Sequence, residues 1–218
     1  MTVVLEGFHA VKHALRFAPE LVDRIVVRSL SDAGSLAQRL APDVRDVLLA
    51  RATEGPTNHP TGVYGEATRP EQDRTVLQTR RSPLLVLDDP KHAGNAGAAI
   101  RVAAAAGASG LAVVGALDPW HPTVVRGAAG LHFALPVLRC VVADLAGPVF
   151  ALDADGEAFT GLPDDAVLVV GSERAGVSEA LRTRADRVVS LPMRDGVSSL
   201  NLATAASAAL YAWRLSQP

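Results

Sequence analysis

The sequence is poor in cysteine and in aromatic residues. Cys140 is the only cysteine among 218 residues, which excludes a disulfide framework and a cysteine-rich zinc site. Aromatic side chains make up 4% of a chain that is 49% hydrophobic, so alanine, valine and leucine have to form the core. This length and composition predict a globular chain of one domain with a small additional unit.

Long hydrophobic runs and a secretory signal are also missing. The longer uncharged stretches, such as 102–117, are too short and too rich in glycine and serine to cross a bilayer. The first residues lack the charged segment and the apolar segment that together form a signal peptide. With the single cysteine, these absences predict a cytoplasmic protein without a membrane segment.

Most signatures of the common α/β enzymes do not occur. No two of the 18 glycines lie two positions apart, which excludes the dinucleotide-binding pattern GxGxxG. The sequence contains no P-loop, no HExxH zinc motif and no GxSxG nucleophile motif. The six histidines are scattered, so no metal site is expected.

The charge balance is close to neutral. A net charge of −2 argues against a protein that binds nucleic acid over its whole surface. Of the 21 basic residues, however, only Lys12 and Lys91 are lysines. Because arginine binds phosphate through two parallel hydrogen bonds, local basic faces can still exist on this chain.

The pattern of apolar residues divides the chain into two parts. Residues 1–70 predict a small α/β unit that includes a strand at 44–49, and residues 71–82 predict a linker. In 83–218, continuous apolar strands alternate with helices, which is typical of a parallel sheet covered on both faces. Two of these helices are predicted at 96–106, ending at Gly107, and at 199–215.

The segment 94–101 follows the first strand of the larger part. Asn95 is expected to cap the following helix, because its side chain can accept from a free backbone N–H group. Gly97 allows another backbone to approach closely. Arg101 is a lone charge on a helix of small apolar residues, so it is either functional or extends to solvent.

Two more polar segments lie at strand ends. In 171–176, Glu173 either binds an arginine or a ligand, or lies in a turn that starts a helix. In 191–201, Ser198, Ser199 and Asn201 lie at a helix start, where they either cap free N–H groups or bind ligand hydroxyl and amino groups.

Together the three segments resemble motifs 1, 2 and 3 of the SpoU (TrmH-like) branch of the SPOUT RNA methyltransferases. The resemblance covers about residues 83–216, and residues 1–70 resemble the family's L30e-like RNA-binding domain less specifically. Departures are modest: His92-Ala93 stands where many relatives have Asn-Pro, and Arg174 stands where glycine is frequent. The matching residues are Asn95, Gly97 and Arg101; Gly171, Glu173 and Gly176; and Pro192, Met193, Ser199, Leu200 and Asn201.

The resemblance implies an α/β fold with a parallel sheet and a C-terminal trefoil knot, in a homodimer formed through the C-terminal domain. It implies that S-adenosylmethionine binds in the knot, where a side chain at Gly171 would intrude, and that no metal is required. The cofactor-binding residues it implies are Leu152, Gly171, Leu191, Met193, Ser199 and Leu200.

The implied reaction is methyl transfer to a ribose 2′-hydroxyl group of RNA, with ribosomal RNA favoured over transfer RNA. Arg101 acts in it either as a general base or as a clamp for phosphate and a developing alkoxide. The catalytic residues implied by the resemblance are Arg101, Asn95, Glu173, Ser199 and Asn201. Two alternatives remain, a non-catalytic knotted RNA-binding protein and an enzyme of this fold that methylates a base nitrogen.

The first helix carries a basic face. His9, Lys12, His13 and Arg16 follow helical spacing and share one side. This side is either an ordinary solvated face or, as the resemblance favours, a surface that contacts RNA together with Arg101.

Overall fold

The computed structural model describes residues 1–217 and consists of two α/β units. Within these residues no helix is both long enough and apolar enough to cross a membrane. The strands are β1 (Thr2–Glu6), β2 (Val22–Val27), β3 (Ala52–Glu54), β4 (Val63–Thr68), β5 (Leu84–Asp88), β6 (Gly110–Val114), β7 (Val137–Arg139), β8 (Val149–Ala158), β9 (Val167–Val170) and β10 (Arg187–Ser190). The helices are α1 (Phe8–Phe17), α2 (Leu30–Leu40), α3 (Arg45–Arg51), α4 (Ala93–Ala106), α5 (Pro122–Gly127), α6 (Glu179–Arg184) and α7 (Leu202–Ser216).

The N-terminal unit is built on a four-stranded mixed sheet in the order β1-β4-β2-β3. Helix α1 packs on this sheet because its apolar side chains recur on one side, and Phe8, Val11 and Leu15 are buried. The opposite side of the helix carries the basic residues predicted from its spacing. The small α/β unit expected for this part of the chain is confirmed.

The C-terminal unit is a six-stranded sheet in the order β10-β8-β9-β5-β6-β7, and all of its strand pairs are parallel. Every residue of β5 and β9 is buried, as the continuous apolar runs predicted. The chain winds outward from β5 through β6 to β7, and the remaining strands lie on the other side of β5. The strand order therefore reverses between β5 and β9, and in such sheets ligands bind beyond the carboxyl ends of the strands at this point.

The two units share one core. Gly130 has a φ of +74°, and a Cβ there would lie 2.7 Å from the carbonyl oxygen of Ala10 in α1. The Nδ1 atom of His13 donates to the carbonyl oxygen of Ala129 over 2.7 Å, and Arg126 pairs with Glu6 at 3.0 Å. A single cluster of buried hydrophobic residues runs from β1 to α7. The N-terminal unit is thus packed directly on the C-terminal one.

The segment 71–82, predicted as a linker, is packed rather than extended. A short 3-10 turn, Arg74–Leu77, buries Val76 and Leu77 against the C-terminal sheet. The guanidinium group of Arg80 donates to the carbonyl oxygens of Ala146, Asp165 and residues of the turn itself. These contacts hold the connection against the sheet.

The predicted strand at 44–49 is wrong, because Val44 ends a 3-10 turn and residues 45–49 belong to helix α3. The run of Val47, Leu48 and Leu49 fits either structure, but a 3-10 turn that begins at Pro42 leads into a helix and inserts Leu48 fully into the core. The strand follows at β3, which pairs with β2. Gly107 ends α4 in a left-handed conformation with a φ of +78°, as predicted.

Candidate active site

A cavity of about 260 Å³ opens at the carboxyl end of β9. Three stretches of chain form its wall: the middle of β8, the loop after β9 and the segment that leads into α7. The structure brings all six predicted cofactor-binding residues to this wall: Leu152, Gly171, Leu191, Met193, Ser199 and Leu200.

The wall combines an apolar part with a few polar groups. Val170, Leu202 and Ala205 extend the apolar part, whereas Ser172, Glu173 and Asp153 contribute hydroxyl and carboxylate oxygens. Such a surface suits a nucleoside, whose base needs apolar contacts and whose sugar needs acceptors. The carboxylate of Glu173 also suits a ligand with a positive charge. The residues present therefore fit S-adenosylmethionine, which carries an adenine, a ribose and a cationic sulfonium.

The loop after β9 is closed on itself. The backbone N–H of Ser172 donates to the carbonyl of Gly176 over 2.9 Å, and the reverse bond measures 3.1 Å. A Cβ at Gly171 would collide with backbone atoms of Gly176 and Val177. Glycine is therefore required at 171 by the fold of this loop itself, and the predicted intrusion of a side chain on the ligand stays a prediction.

Three motif side chains form a directed chain of hydrogen bonds beside the cavity. The Nδ2 of Asn95 donates to the Oε1 of Glu173 over 2.7 Å, and the Nδ2 of Asn201 donates to the Oδ1 of Asn95 over 3.0 Å. The Oδ1 of Asn201 accepts from the backbone N–H of Ala203, so Asn201 caps α7. Glu173 also accepts from the backbone N–H of Lys91 over 3.1 Å.

The predicted capping role of Asn95 is wrong. Helix α4 begins at Ala93, with His92 as the preceding cap residue, so Asn95 lies inside the first turn. Its side chain forms hydrogen bonds with Glu173 and Asn201 instead, and both of these residues are distant from it in the sequence. The predicted helix at 199–215 likewise begins later, at Leu202, which leaves Ser198 and Ser199 on the cavity wall.

The hydrogen bonds keep Glu173 ionised. Burial would raise the pKa of this carboxyl, but donation from Asn95 and from the backbone amides of Lys91 and His92 outweighs burial and lowers the pKa below its usual range. The site therefore holds the carboxylate of Glu173 as a fixed anion at the N-terminal end of α4. An anion there attracts a cationic ligand and orients the two amide side chains.

Arg101 lies outside the cavity wall of its own chain. Its side chain is exposed on α4, and within residues 1–217 it forms no ion pair. The position of this helix is fixed one turn earlier by Gly97, where a Cβ would lie 2.8 Å from backbone atoms of Gly127 and Ala128 at the end of α5. The predicted close approach at Gly97 is thus confirmed.

The N-terminal helix comes close to Arg101. Burial, and then the positive charges of Lys12 and Arg101, lower the pKa of His9. Burial also lowers the pKa of Lys12, with further contributions from Arg16 and Arg101. Lys12 and Arg101 therefore place positive charge on one surface shared by both units, and the lowered pKa of His9 leaves its imidazole largely neutral at pH 7.

The other two residues of the predicted basic face are engaged within the protein. His13 donates to Ala129, and Arg16 forms two hydrogen bonds of 2.7 Å with the carboxylate of Asp43. His13 thus contributes to the contact between the units, and Arg16 has its charge compensated. On α1, Lys12 therefore supplies the remaining positive charge of the surface near α4, with the imidazole of His9 beside it.

Sequence reasoning missed Asp153, which lies on the cavity wall next to Leu152 and pairs with Arg182. No motif marks either residue, because the pair joins a strand to a distant helix. Within residues 1–217, no group of three histidine, cysteine or acidic side chains is arranged to hold a metal ion.

Known proteins are similar to this chain in sequence and in fold. Residues 82–211 match the model of the SpoU rRNA Methylase family. A 23S rRNA (uridine(2479)-2′-O)-methyltransferase of Streptomyces viridochromogenes is 37% identical over 70% of this chain, and the match spans 59% of that relative. The 23S rRNA (guanosine(2553)-2′-O)-methyltransferase RlmP of Bacillus subtilis is 31% identical over 96% of this chain and 87% of its own length. The crystal structure of the SpoU methyltransferase AviRb from Streptomyces viridochromogenes, in complex with AdoMet, superimposes with a TM-score of 0.74 at 27% identity, covering 96% of this chain and 88% of that one.

Proposed function

The chain belongs to the SpoU rRNA methylase family, and we propose that it transfers a methyl group from S-adenosylmethionine to a ribose 2′-hydroxyl group of 23S ribosomal RNA. It is an S-adenosylmethionine-dependent RNA methyltransferase. Relatives named as 23S rRNA 2′-O-methyltransferases support ribose as the acceptor over a base nitrogen, and ribosomal RNA over transfer RNA. A ribosomal substrate also supports the cytoplasmic location predicted from the sequence.

One observation carries the proposal. The cavity at the carboxyl end of β9 is bordered by an intact chain of polar side chains, Asn201, Asn95 and Glu173. A protein that only binds RNA has no need of this network beside a cavity large enough for a nucleoside. The pairing of the two features supports an enzyme rather than a non-catalytic RNA-binding protein.

S-adenosylmethionine supplies an activated methyl group on its sulfonium when it is bound. The backbone and apolar side chains of the cavity hold the adenosine, among them Leu152, Leu191 and Met193. Glu173 provides negative charge on the side of the cavity where the acceptor enters, and Asn95 and Asn201 fix its orientation. Ser199 offers a hydroxyl group to the ligand or to the RNA ribose.

Arg101 acts on the RNA. An arginine side chain keeps its proton in proteins, so a role as clamp is favoured over that of general base. Its guanidinium holds the phosphate next to the target ribose and stabilises the alkoxide that develops as the hydroxyl gives its proton to solvent water. Lys12 extends the same positive surface along the RNA backbone, and His9 offers it a neutral imidazole that can donate or accept a hydrogen bond.

The active form is a homodimer through the C-terminal unit. Arg101 is exposed and lies outside the wall of its own cavity, which leaves room for a second copy to complete the site. Exposed apolar side chains near the end of the chain, Leu200, Tyr211 and Leu215, support an interface there. A stable interface should bury more than about 1,000 Å². Light scattering should give twice the monomer mass at micromolar concentration, and a monomer would contradict the dimer.

The function is tested by incubating the protein with methyl-labelled S-adenosylmethionine and either 23S ribosomal RNA or transfer RNA. A 2′-O-methyl group protects the neighbouring phosphodiester bond from alkaline cleavage, so the modified nucleotide appears as a gap in a hydrolysis ladder. Label on 23S RNA with such a gap is expected. Label without a gap would indicate a base nitrogen, and RNA binding without label would indicate a non-catalytic protein.

A further inference from the structure

A carboxylate on the cavity wall has no role in the site described so far. Asp153 follows Leu152 directly in β8, and both residues line the cavity. The Oδ2 of Asp153 lies 3.6 Å from the place that a Cβ of Gly176 would occupy, so the carboxylate faces the loop after β9. Its side chain is 25% exposed and thus remains open to the cavity.

The carboxylate is held in place by neighbours on both oxygens. Arg182 of α6 donates from Nη1 to the Oδ2 of Asp153 over 3.1 Å, and the backbone N–H of Ala154 donates to Oδ1 over 2.7 Å. A carboxylate has about four acceptor positions on its two oxygens. Asp153 therefore keeps acceptor capacity after both of these bonds are made.

Arg182 is shared by a second carboxylate. Its Nη2 donates to the Oδ2 of Asp155 over 2.7 Å, and the side chain of Asp155 is 66% exposed and is not on the cavity wall. The two aspartates thus have the same partner, and they differ in whether they face the cavity.

We propose that Asp153 accepts hydrogen bonds from the vicinal ribose hydroxyl groups of the cofactor and so selects for a complete ribonucleoside. The inference rests on the proposed use of S-adenosylmethionine. Leu152 and the apolar wall contact the base, and the sugar is the part of a nucleoside directly attached to it. An acidic side chain that accepts from ribose hydroxyl groups is a general solution for nucleoside recognition in parallel α/β sheets.

The amino group of the methionine tail is the competing donor for Asp153. The charge of Asp153 is already compensated by Arg182, which weakens its attraction for a cation but leaves its lone pairs free for neutral hydroxyl groups. Glu173, which no arginine or lysine side chain pairs within residues 1–217, is the wall carboxylate better suited to positive charge.

The test is calorimetric binding of three probes to the full-length protein. S-adenosylhomocysteine carries the ribose diol and the amino-acid tail, 5′-methylthioadenosine carries the diol alone, and 2′,3′-dideoxy-5′-methylthioadenosine carries neither. Asp153→Asn is compared with Asp155→Asn. The control also removes one negative charge that pairs with Arg182, but from a side chain that is not on the cavity wall. We expect Asp153→Asn to weaken the binding of both diol-bearing probes by about 10- to 100-fold. With Asp155→Asn, their affinities should stay within about 3-fold of those of the wild type.

The dideoxy probe separates the explanations. The wild-type protein should bind it less tightly than 5′-methylthioadenosine, and this difference should shrink in Asp153→Asn. If Asp153→Asn weakens the binding of S-adenosylhomocysteine alone, the proposal is overturned and Asp153 contacts the amino-acid tail instead. Equal binding of the two methylthioadenosines by the wild type would also overturn it, whether or not the variant folds. A wild-type protein that binds none of the three would overturn the proposed function itself.

Discussion

The side-chain amide of Asn95 donates to the carboxylate of Glu173 over 2.7 Å, although 78 residues separate the two in the chain. The bond fixes the orientation of the Asn95 amide, because only its nitrogen can donate, and its oxygen is thereby directed to Asn201. Helix α4, the loop after β9 and the start of α7 are joined by side chains at this one point. The network therefore sets the distance between the cavity and helix α4, which carries Arg101.

Replacing Glu173 by glutamine should weaken this junction. Glutamine has one acceptor oxygen, so it cannot serve both Asn95 and the backbone N–H of Lys91, and one of these donors is left facing an NH₂ group. We expect Glu173→Gln to lower the free energy of unfolding at pH 7 by about 1–2 kcal/mol. The lowered pKa of Glu173 means that its stabilisation is present at neutral pH and is lost as the pH falls through the acidic range. Urea titrations should therefore show the two proteins converging in acid, and a constant difference down to pH 3 would contradict this account.

Arg101→Ala should keep cofactor binding and lose methyl transfer. The side chain lies outside the cavity, and alanine is a better helix former, so neither the fold nor the cavity should change. We expect a loss of about 10²–10⁴-fold in single-turnover transfer at saturating cofactor. Arg101→Lys should restore little if the planar fork of the guanidinium is required, and a sizeable fraction if charge suffices.

The control for this experiment is Arg24→Ala. Arg24 is also exposed, at 62%, and its only ion pair is a contact of 4.0 Å with Glu66 among the described residues. Both alanine variants should show the same affinity for S-adenosylhomocysteine. Transfer by Arg101→Ala at the rate of Arg24→Ala would remove Arg101 from the catalytic residues.

Two glycines of α4 should respond to alanine in opposite directions. A Cβ at Gly97 meets backbone atoms of α5 at 2.8 Å, whereas a Cβ at Gly94 has no atom within 4 Å. We expect Gly97→Ala to reduce the free energy of unfolding by about 1–3 kcal/mol, because backbone cannot move aside cheaply. Gly94→Ala should increase it by about 0.5–1 kcal/mol, because alanine restricts the unfolded chain. Chemical denaturation checks both, and a stable Gly97→Ala would show that α4 and α5 can separate without cost.

Gly171→Ala should abolish stabilisation by the cofactor product. The added methyl group would overlap with the backbone of Gly176 and Val177 and open the loop that forms one side of the cavity. For the wild type, S-adenosylhomocysteine at one hundred times its Kd should add about 2.7 kcal/mol to the free energy of unfolding. Thermal shift measurements should show this gain in Gly94→Ala and not in Gly171→Ala. An unchanged shift in Gly171→Ala would mean that the loop does not contribute to binding.

His132 should make the protein sensitive to acid. Burial lowers the pKa of this histidine from 6.5 to about 4, and its Nε2 donates to the carbonyl of Pro119 over 2.7 Å. The unfolded chain takes up the proton first, so stability is lost as the pH falls from about 6.5 to about 4, by about 3 kcal/mol in total. His132→Gln keeps a donor for Pro119 and does not titrate. The variant should therefore lose less stability than the wild type over this range in urea titrations, and parallel losses would contradict a neutral buried His132.

The parallel sheet and the residues of the cavity wall could be predicted from the sequence. Buried strands such as β5 and β9 show as unbroken apolar runs, and the three motifs lie where these strands end, so their meeting at one edge follows from the topology. The trefoil knot stays a prediction from the family resemblance.

Contacts between distant side chains were not accessible from the sequence. The cap predicted for Asn95 rests on a local rule, but Glu173 and Asn201 compete for its amide from 78 and 106 residues away. The helix at 45–51 was missed for a similar reason, because burial of Leu48 from one side decides between helix and strand there. Asp153 gave no signal, since its pairing with Arg182 exists only in the folded chain.

The packing of Gly130 on Ala10 limits how such proteins can be rebuilt. One buried cluster runs through both units, so the N-terminal unit cannot be replaced independently of the C-terminal one. A different N-terminal domain fused at residues 71–82 would leave apolar surface of the C-terminal unit exposed to water. In a chimera that folds, the new domain must also have a surface that packs against residues 129–133. Substitutions on the exposed surface of α1 leave this shared core intact, whereas exchange of the whole unit does not.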